Sequence, residues 1–149
     1  MPRRDLITFD THSEYGLNVF DTVGISGANN PGDLMTIQAM FRYLSELWLK
    51  PEYTALSSLR ERLAIEPDGL IGPKTINAIS AFQQYNWYKL LRTDRLIHPA
   101  KYENRIILSS GKFMTITLMH EELWMAEDNA KDYTREIATR FPNVAFWIQ

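Results

Sequence analysis

His120-Glu121-Glu122-Leu123-Trp124 comes nearest to a catalytic motif, because histidine followed by glutamate opens the helical zinc-hydrolase signature. That signature needs a second imidazole one turn later to complete the ligand set, and position 124 is Trp. His12 and His98 show no acidic or imidazole neighbour at ligand spacing and read as surface or packing residues. The chain has no cysteine, so a thiol nucleophile, a disulfide framework and a thiolate metal site are excluded. Gly24-Ile25-Ser26-Gly27 lacks the register of a nucleophile elbow. Ser109-Ser110-Gly111-Lys112-Phe113 lacks the upstream glycine and the following hydroxyl of a phosphate loop. Glu121/Glu122 and Glu127/Asp128 are the nearest to paired carboxylates, and they fall on a polar helical stripe that solvation explains. No catalytic residue, metal ligand or cofactor is expected.

The elements that must carry any other function are bounded by composition. A chain of 149 residues with 45% apolar and 23% charged residues makes one ordinary domain, spanning 1–149, whose core needs no covalent staple. A net charge of −2 gives no general attraction to nucleic acid or anionic lipid, so neither is expected as a partner. No apolar run approaches the ~18 residues of a membrane span. The opening Met1-Pro2-Arg3-Arg4-Asp5 leads into no hydrophobic export core, which implies synthesis in the cytoplasm. Charge is segregated: residues 86–112 carry six basic against two acidic side chains, and residues 121–136 carry six acidic against two basic, read as two solvated faces.

A turn-rich stretch, Gly24 to Asp33, leads into a helix in which Leu34, Ile37, Phe41, Leu44 and Trp48 recur every three or four residues. Asp33 is its expected N-cap, and Pro51 stops it near Leu49. Leu56, Leu59 and Leu63 mark a shorter helix, and Pro67-Asp68-Gly69 a turn. Pro73 opens a third helix, with Ile76, Ile79, Phe82 and the Trp87/Leu90/Leu91 group toward a core. Residues 105–112 read as a strand or a packed loop, with a small hairpin as a further option. Ile116, Met119, Leu123, Ala126, Ala130, Tyr133 and Ile137 keep helical spacing to about Arg140, with a break near Asp128-Asn129 and a stop at Pro142. Leu6-Ile7-Thr8-Phe9 reads as an extended arm. Val144-Ala145-Phe146-Trp147-Ile148 is apolar enough to dock on the body of the domain, with a protein partner as the second reading.

One repeat stands out. Asp68-Gly69-Leu70-Ile71-Gly72-Pro73 is echoed by Asp94-Arg95-Leu96-Ile97-His98-Pro99, and each copy precedes a helix, the second after an insertion from about 100 to 112. Such a turn is fastened by its Asp accepting backbone N–H bonds while the Leu-Ile pair inserts into the core. Two copies imply related helical units packed side by side.

The stretch from Asp68 to Gln83 resembles the signature of the peptidoglycan-binding domains that accompany cell-wall hydrolases, D-G-x-x-G-x-x-T-x-x-A-(V/I)-x-x-F-Q, with every fixed position present. Asn30 to Phe41 is similar to the family's first helix, and Met114 to Met119 to a third segment of longer members. The resemblance covers about 22–123, leaving 124–149 as an added C-terminal helix and apolar tail. It departs in the longer link at 50–66 and in Arg95 and His98, which stand where the first turn has glycines.

The resemblance implies a mainly α-helical bundle and a non-catalytic module that binds peptidoglycan fragments; with no visible export signal, such a module is expected to reach the wall through lysis, a phage particle or a secretion machine. The alternative is an adaptor in a contractile injection system or phage tail that uses the fold to bind protein; a wall hydrolase comes third. Most motif positions have structural work: Gly69 and Gly72 for backbone angles, Thr75 for a hydroxyl bond to the Asp68 turn, Ala78 for close helix approach, and Phe82 for the core. Asn77, Gln83, Tyr85 and Trp87 are left as the groups suited to reading an amide- and hydroxyl-rich ligand, by hydrogen bonds and stacking.

Overall fold

The computed structural model describes residues 2–8, 13–100, 112–127 and 132–148. It is mainly helical, with small two-stranded antiparallel sheets. Strand β1 (Arg3–Thr8) pairs with β2 (Ser13–Asn18) in a register running from Arg3 opposite Asn18 to Thr8 opposite Ser13. The expected N-terminal arm is therefore one half of a hairpin, a pairing that no turn signature between the strands announced. A second, two-residue pairing joins β3 (Val23–Gly24) to β4 (Leu96–Ile97).

Helix α1 (Pro31–Leu47) is the central element and packs against α2 (Ser57–Leu63), α4 (Thr115–Ala126), α5 (Tyr133–Arg140) and α6 (Pro142–Ala145). Its stripe of Leu34, Ile37, Met40, Phe41, Leu44 and Trp48 is buried, and Phe41 meets Phe82 of α3 (Pro73–Tyr85) with ring centroids 5.5 Å apart. A 3₁₀ segment, Pro51–Leu56, leads into α2, which buries Leu59 and Leu63. The first two helices and the third thus follow the apolar spacing closely. One contiguous apolar cluster runs from Leu17 to Val144, so the segment beyond 123 belongs to the same core as the helices before it.

Four local expectations are corrected. Asp33 does not cap α1: it lies within the first turn, buried, and its two carboxylate oxygens accept the Phe20 and Asp21 N–H groups at 2.9 Å each. The loop before the helix is thereby fixed by a buried acid, which is a stronger demand than capping. Leu70 and Ile71 do not insert into the core; Leu70 is 69% exposed, and in the second copy only Ile97 is buried. Trp87 and Leu91 likewise face outward while Leu90 between them is buried. Gly72 has an extended backbone and open space where a side chain would sit, so no special angle requires glycine there.

Pro142 ends α5 and at once begins α6, as proline in a first helical turn allows. Val144 of α6 is fully buried and Ile148 packs against the core. Gly32 explains how the tail fits: a Cβ there would lie 2.8 Å from the Trp147 ring and 3.1 Å from Pro2. The tail is docked within the chain, as its composition suggested, and only Phe146 stands out at 78% exposure. The expected hairpin at 105–112 and the break at Asp128-Asn129 lie in or across stretches outside the described residues.

Candidate functional site

The Asp68 turn is organised by a residue from another helix. Gln38 of α1 is buried, and its side-chain Nε2 shares its two N–H bonds among Asp68 Oδ1, the Leu70 carbonyl and Thr75 Oγ1, each at 3.0 Å, while its Oε1 accepts the Gly69 N–H at 2.8 Å. Asp68 Oδ1 also accepts the Leu70 N–H at 2.9 Å. Thr75 therefore reaches the turn through Gln38. Gly69 has φ +72°, the left-handed region that glycine enters without a side-chain penalty.

The second turn repeats this construction with Gln83. Its amide donates to the Leu96 carbonyl at 2.9 Å and to Thr115 Oγ1 at 3.0 Å, and its Oε1 accepts the Arg95 N–H at 2.7 Å. Asp94 Oδ1 accepts the Leu96 N–H at 3.1 Å, and Arg95 adopts φ +62°, the counterpart of Gly69. Gln38, Asp68, Gly69, Leu70 and Thr75 thus correspond one by one to Gln83, Asp94, Arg95, Leu96 and Thr115. Helix α3 serves both units: Thr75 near its start completes the first staple and Gln83 near its end makes the second.

This corrects the expected role of Gln83. With 0% exposure and every polar atom of its amide engaged inside the chain, it has nothing to offer a ligand. Ala78, Phe82 and Thr75 are buried and act through packing or the first staple. Asn77, Tyr85 and Trp87 are exposed.

Asn77 and Tyr85 meet in one place, a groove of about 800 Å³ between α3 and the 3₁₀–α2 segment. Its walls are Asn77, Ser80, Ala81, Gln84 and Tyr85 on α3, and Ala55, Ser58, Leu59 and Arg62 opposite. Two amides, two serine hydroxyls, a phenol and one guanidinium supply donors and acceptors over a short apolar floor. Trp87 is not in the groove; it lies two residues past Tyr85, 63% exposed, with its ring edge-on to Tyr88 at 6.2 Å. Sequence reasoning missed Ser58, Arg62, Ser80 and Gln84, although α3's i, i+3, i+4, i+7 pattern from Asn77 already placed Ser80, Ala81 and Gln84 on one face.

A second cleft, of about 500 Å³, is lined in part by Thr22, Arg92, Asp94 and His98. Here His98 does have an acidic neighbour: its Nε2 lies 3.4 Å from Asp94 Oδ2 and its Nδ1 3.3 Å from Thr22 Oγ1. Both contacts are long, and the other Asp94 oxygen is committed to the turn, so the array ties the second turn to the start of β3. Among the described residues, no group of three or more His, Asp or Glu side chains is placed to hold a metal ion.

Among the described residues of the acidic stretch, Glu122, Glu127 and Asp132 have partners within the chain rather than standing on a solvated face. Glu127 accepts from the Tyr43 hydroxyl at 2.5 Å, and burial together with that carboxylate pushes the Tyr43 phenol well above its ordinary value. Glu122, 3.9 Å from Lys89, is raised by burial, with Lys89 opposing and Glu121 adding to the shift. Tyr133 is buried beside His120, its hydroxyl 2.7 Å from Nδ1 and accepting the Leu17 N–H at 3.1 Å. No protein-family model, no curated protein and no solved structure matches this chain.

Proposed function

We propose that the chain is a non-catalytic module that binds peptidoglycan fragments in the groove between α2 and α3. The observation that carries the reading is the lining of that groove, where Asn77, Gln84, Ser58, Ser80 and Tyr85 turn neutral hydrogen-bonding groups toward one cavity. Amides and hydroxyls match a ligand that is itself built of acetamido, hydroxyl and peptide groups, and an exposed phenol gives a sugar or peptide plane something to lie on. The resemblance of Asp68–Gln83 to the peptidoglycan-binding signature points the same way, and the Gln38 staple gives that signature a physical purpose: it fixes the entry to α3. Delivery to the wall by lysis, a phage particle or a secretion machine goes with this reading. No helix among the described residues is long and apolar enough to cross a membrane.

Co-sedimentation with intact sacculi tests the proposal. Saturable binding by the wild type, reduced at least about tenfold in an Asn77→Ala, Tyr85→Ala variant, is the expected result. Absence of wild-type binding overturns it. Gln83→Ala is the wrong probe, because it strips the second turn of its staple and loses binding through the fold.

The adaptor reading rests on other residues. Trp87 and Tyr88, together with Leu91 and the exposed Phe146, are large apolar side chains turned to solvent. A stoichiometric protein partner released by Trp87→Ala, with sacculus binding absent, favours that role in an injection system or phage tail.

A further inference from the structure

The groove is neutral except at one point. Of its nine lining residues only Arg62 is charged. Several other arginines are tied down, Arg3 to Asp5, Arg4 to Asp132, Arg42 to Glu46 and Glu66, and Arg140 to Glu46, and those without an ion pair among the described residues, such as Arg92, lie outside this groove. Arg62, in the last turn of α2, makes no ion pair or side-chain hydrogen bond among the described residues, and it is exposed at the groove wall. Its fork of N–H donors is free to meet an incoming acceptor, and no carboxylate lines the cavity to compete for it.

A guanidinium in such a setting discriminates by charge. A carboxylate accepts two parallel N–H bonds from it on two anionic oxygens, whereas a carboxamide or a sugar hydroxyl offers one neutral oxygen and loses both the paired fork and the ion-to-ion attraction. The neutral polar groups along the rest of the wall treat amide and hydroxyl ligands alike, so they set orientation more than choice.

We infer that the α2–α3 groove selects ligands carrying a free carboxylate, the acidic peptide stem of the wall polymer, with Arg62 as the specificity-determining cation. This rests on the wall-binding reading and goes one step past it, since a neutral glycan would satisfy that reading equally well. Asn77 and Ser80 on α3 take the backbone amides of the stem, and Tyr85 bounds the far end of the α3 wall.

Calorimetric titration with two soluble muropeptides, identical except that one bears a free terminal carboxylate and the other a carboxamide, tests the inference on the full chain. The carboxylate form is expected to bind about tenfold more tightly. Arg62→Gln is expected to erase that preference by weakening only the carboxylate form, while Arg62→Lys keeps part of it and makes it more sensitive to salt. Equal affinity for the two forms, or a preference that survives Arg62→Gln, overturns the role of Arg62 while leaving wall binding in place. Tight binding of a stem-free glycan oligomer, with neither muropeptide bound better, overturns the stem assignment. Failure of both muropeptides together with failure to sediment with sacculi removes the wall-binding reading, and this inference with it.

Discussion

Two glutamines explain more of this molecule than any charged residue does. Each reaches from a helix into a turn and satisfies both the backbone and the Asp side chain or a threonine hydroxyl, and each is fully enclosed, so its own amide would be costly without those partners. The turn they hold requires a residue at positive φ, and the two copies fill it differently: Gly69 at +72° and Arg95 at +62°. A left-handed angle penalises a side chain by roughly 1–2 kcal/mol, so Arg95 is held there by the Gln83 and β4 contacts against its own preference. The Arg95 side chain is exposed, which leaves little packing to lose. Opposite signs are therefore expected: Arg95→Gly stabilises by about 1 kcal/mol and Gly69→Ala destabilises by about 1 kcal/mol or more, as urea unfolding would read. Two changes of the same sign would show that strain at the turn is relieved elsewhere.

Among the elements, α5 shows how a helix start can anchor the opposite end of the chain. Asp132 caps α5 by accepting the Thr134 N–H at 3.0 Å, and the same carboxylate binds Arg4 of β1, whose Nε also donates to Thr134 Oγ1 at 2.9 Å. Burial alone would raise this carboxyl; the Thr134 and Arg4 hydrogen bonds outweigh it and hold Asp132 below the usual aspartate range. A lowered acid contributes stability above its unfolded pKa and loses it as pH falls through the folded one. Glu122 acts in the opposite sense: raised by burial, it contributes at low pH and loses that contribution as pH rises past its folded value. Asp132→Ala isolates the first effect. It is expected to cost about 1–2 kcal/mol near neutral pH and progressively less below about pH 4, where the wild type loses the same bonds. Parallel stability curves for variant and wild type from neutral pH into strong acid would remove Asp132 from the acid sensitivity of the fold.

At the scale of the whole molecule, the legible part of the sequence was the part with a period. Leu34 to Trp48 and Ile76 to Phe82 announced their helices because burial on one side imposes a 3.6-residue repeat, and the Asp68/Asp94 echo announced the paired turns. What stayed hidden depends on partners far away in the chain. Gln83 reads as a polar surface residue until Thr115, 32 positions later, comes beside it, and Asp33 reads as a cap until the loop at Phe20 and Asp21 folds onto it. The groove was half legible, since α3 supplied one wall in register while Ser58 and Arg62 arrive from a segment whose placement no local signal sets. The same long-range closure governs the ends. Pro2 and Trp147 meet over Gly32, Leu17 donates to Tyr133, and Arg4 holds Asp132, so the N-terminal hairpin and the last two helices clasp α1 together. Deleting residues 142–149 removes the fully buried Val144 and the partly buried Trp147 and Ile148 from that clasp. At roughly 1.5–3 kcal/mol per fully buried large side chain, a loss of about 3–5 kcal/mol is expected in urea unfolding. Amide exchange at Leu17, on the far strand, should accelerate in step with the amides of α1, because the apolar cluster is continuous across both. An unchanged unfolding midpoint, or faster exchange confined to α5, would show that the tail covers the core without being part of it.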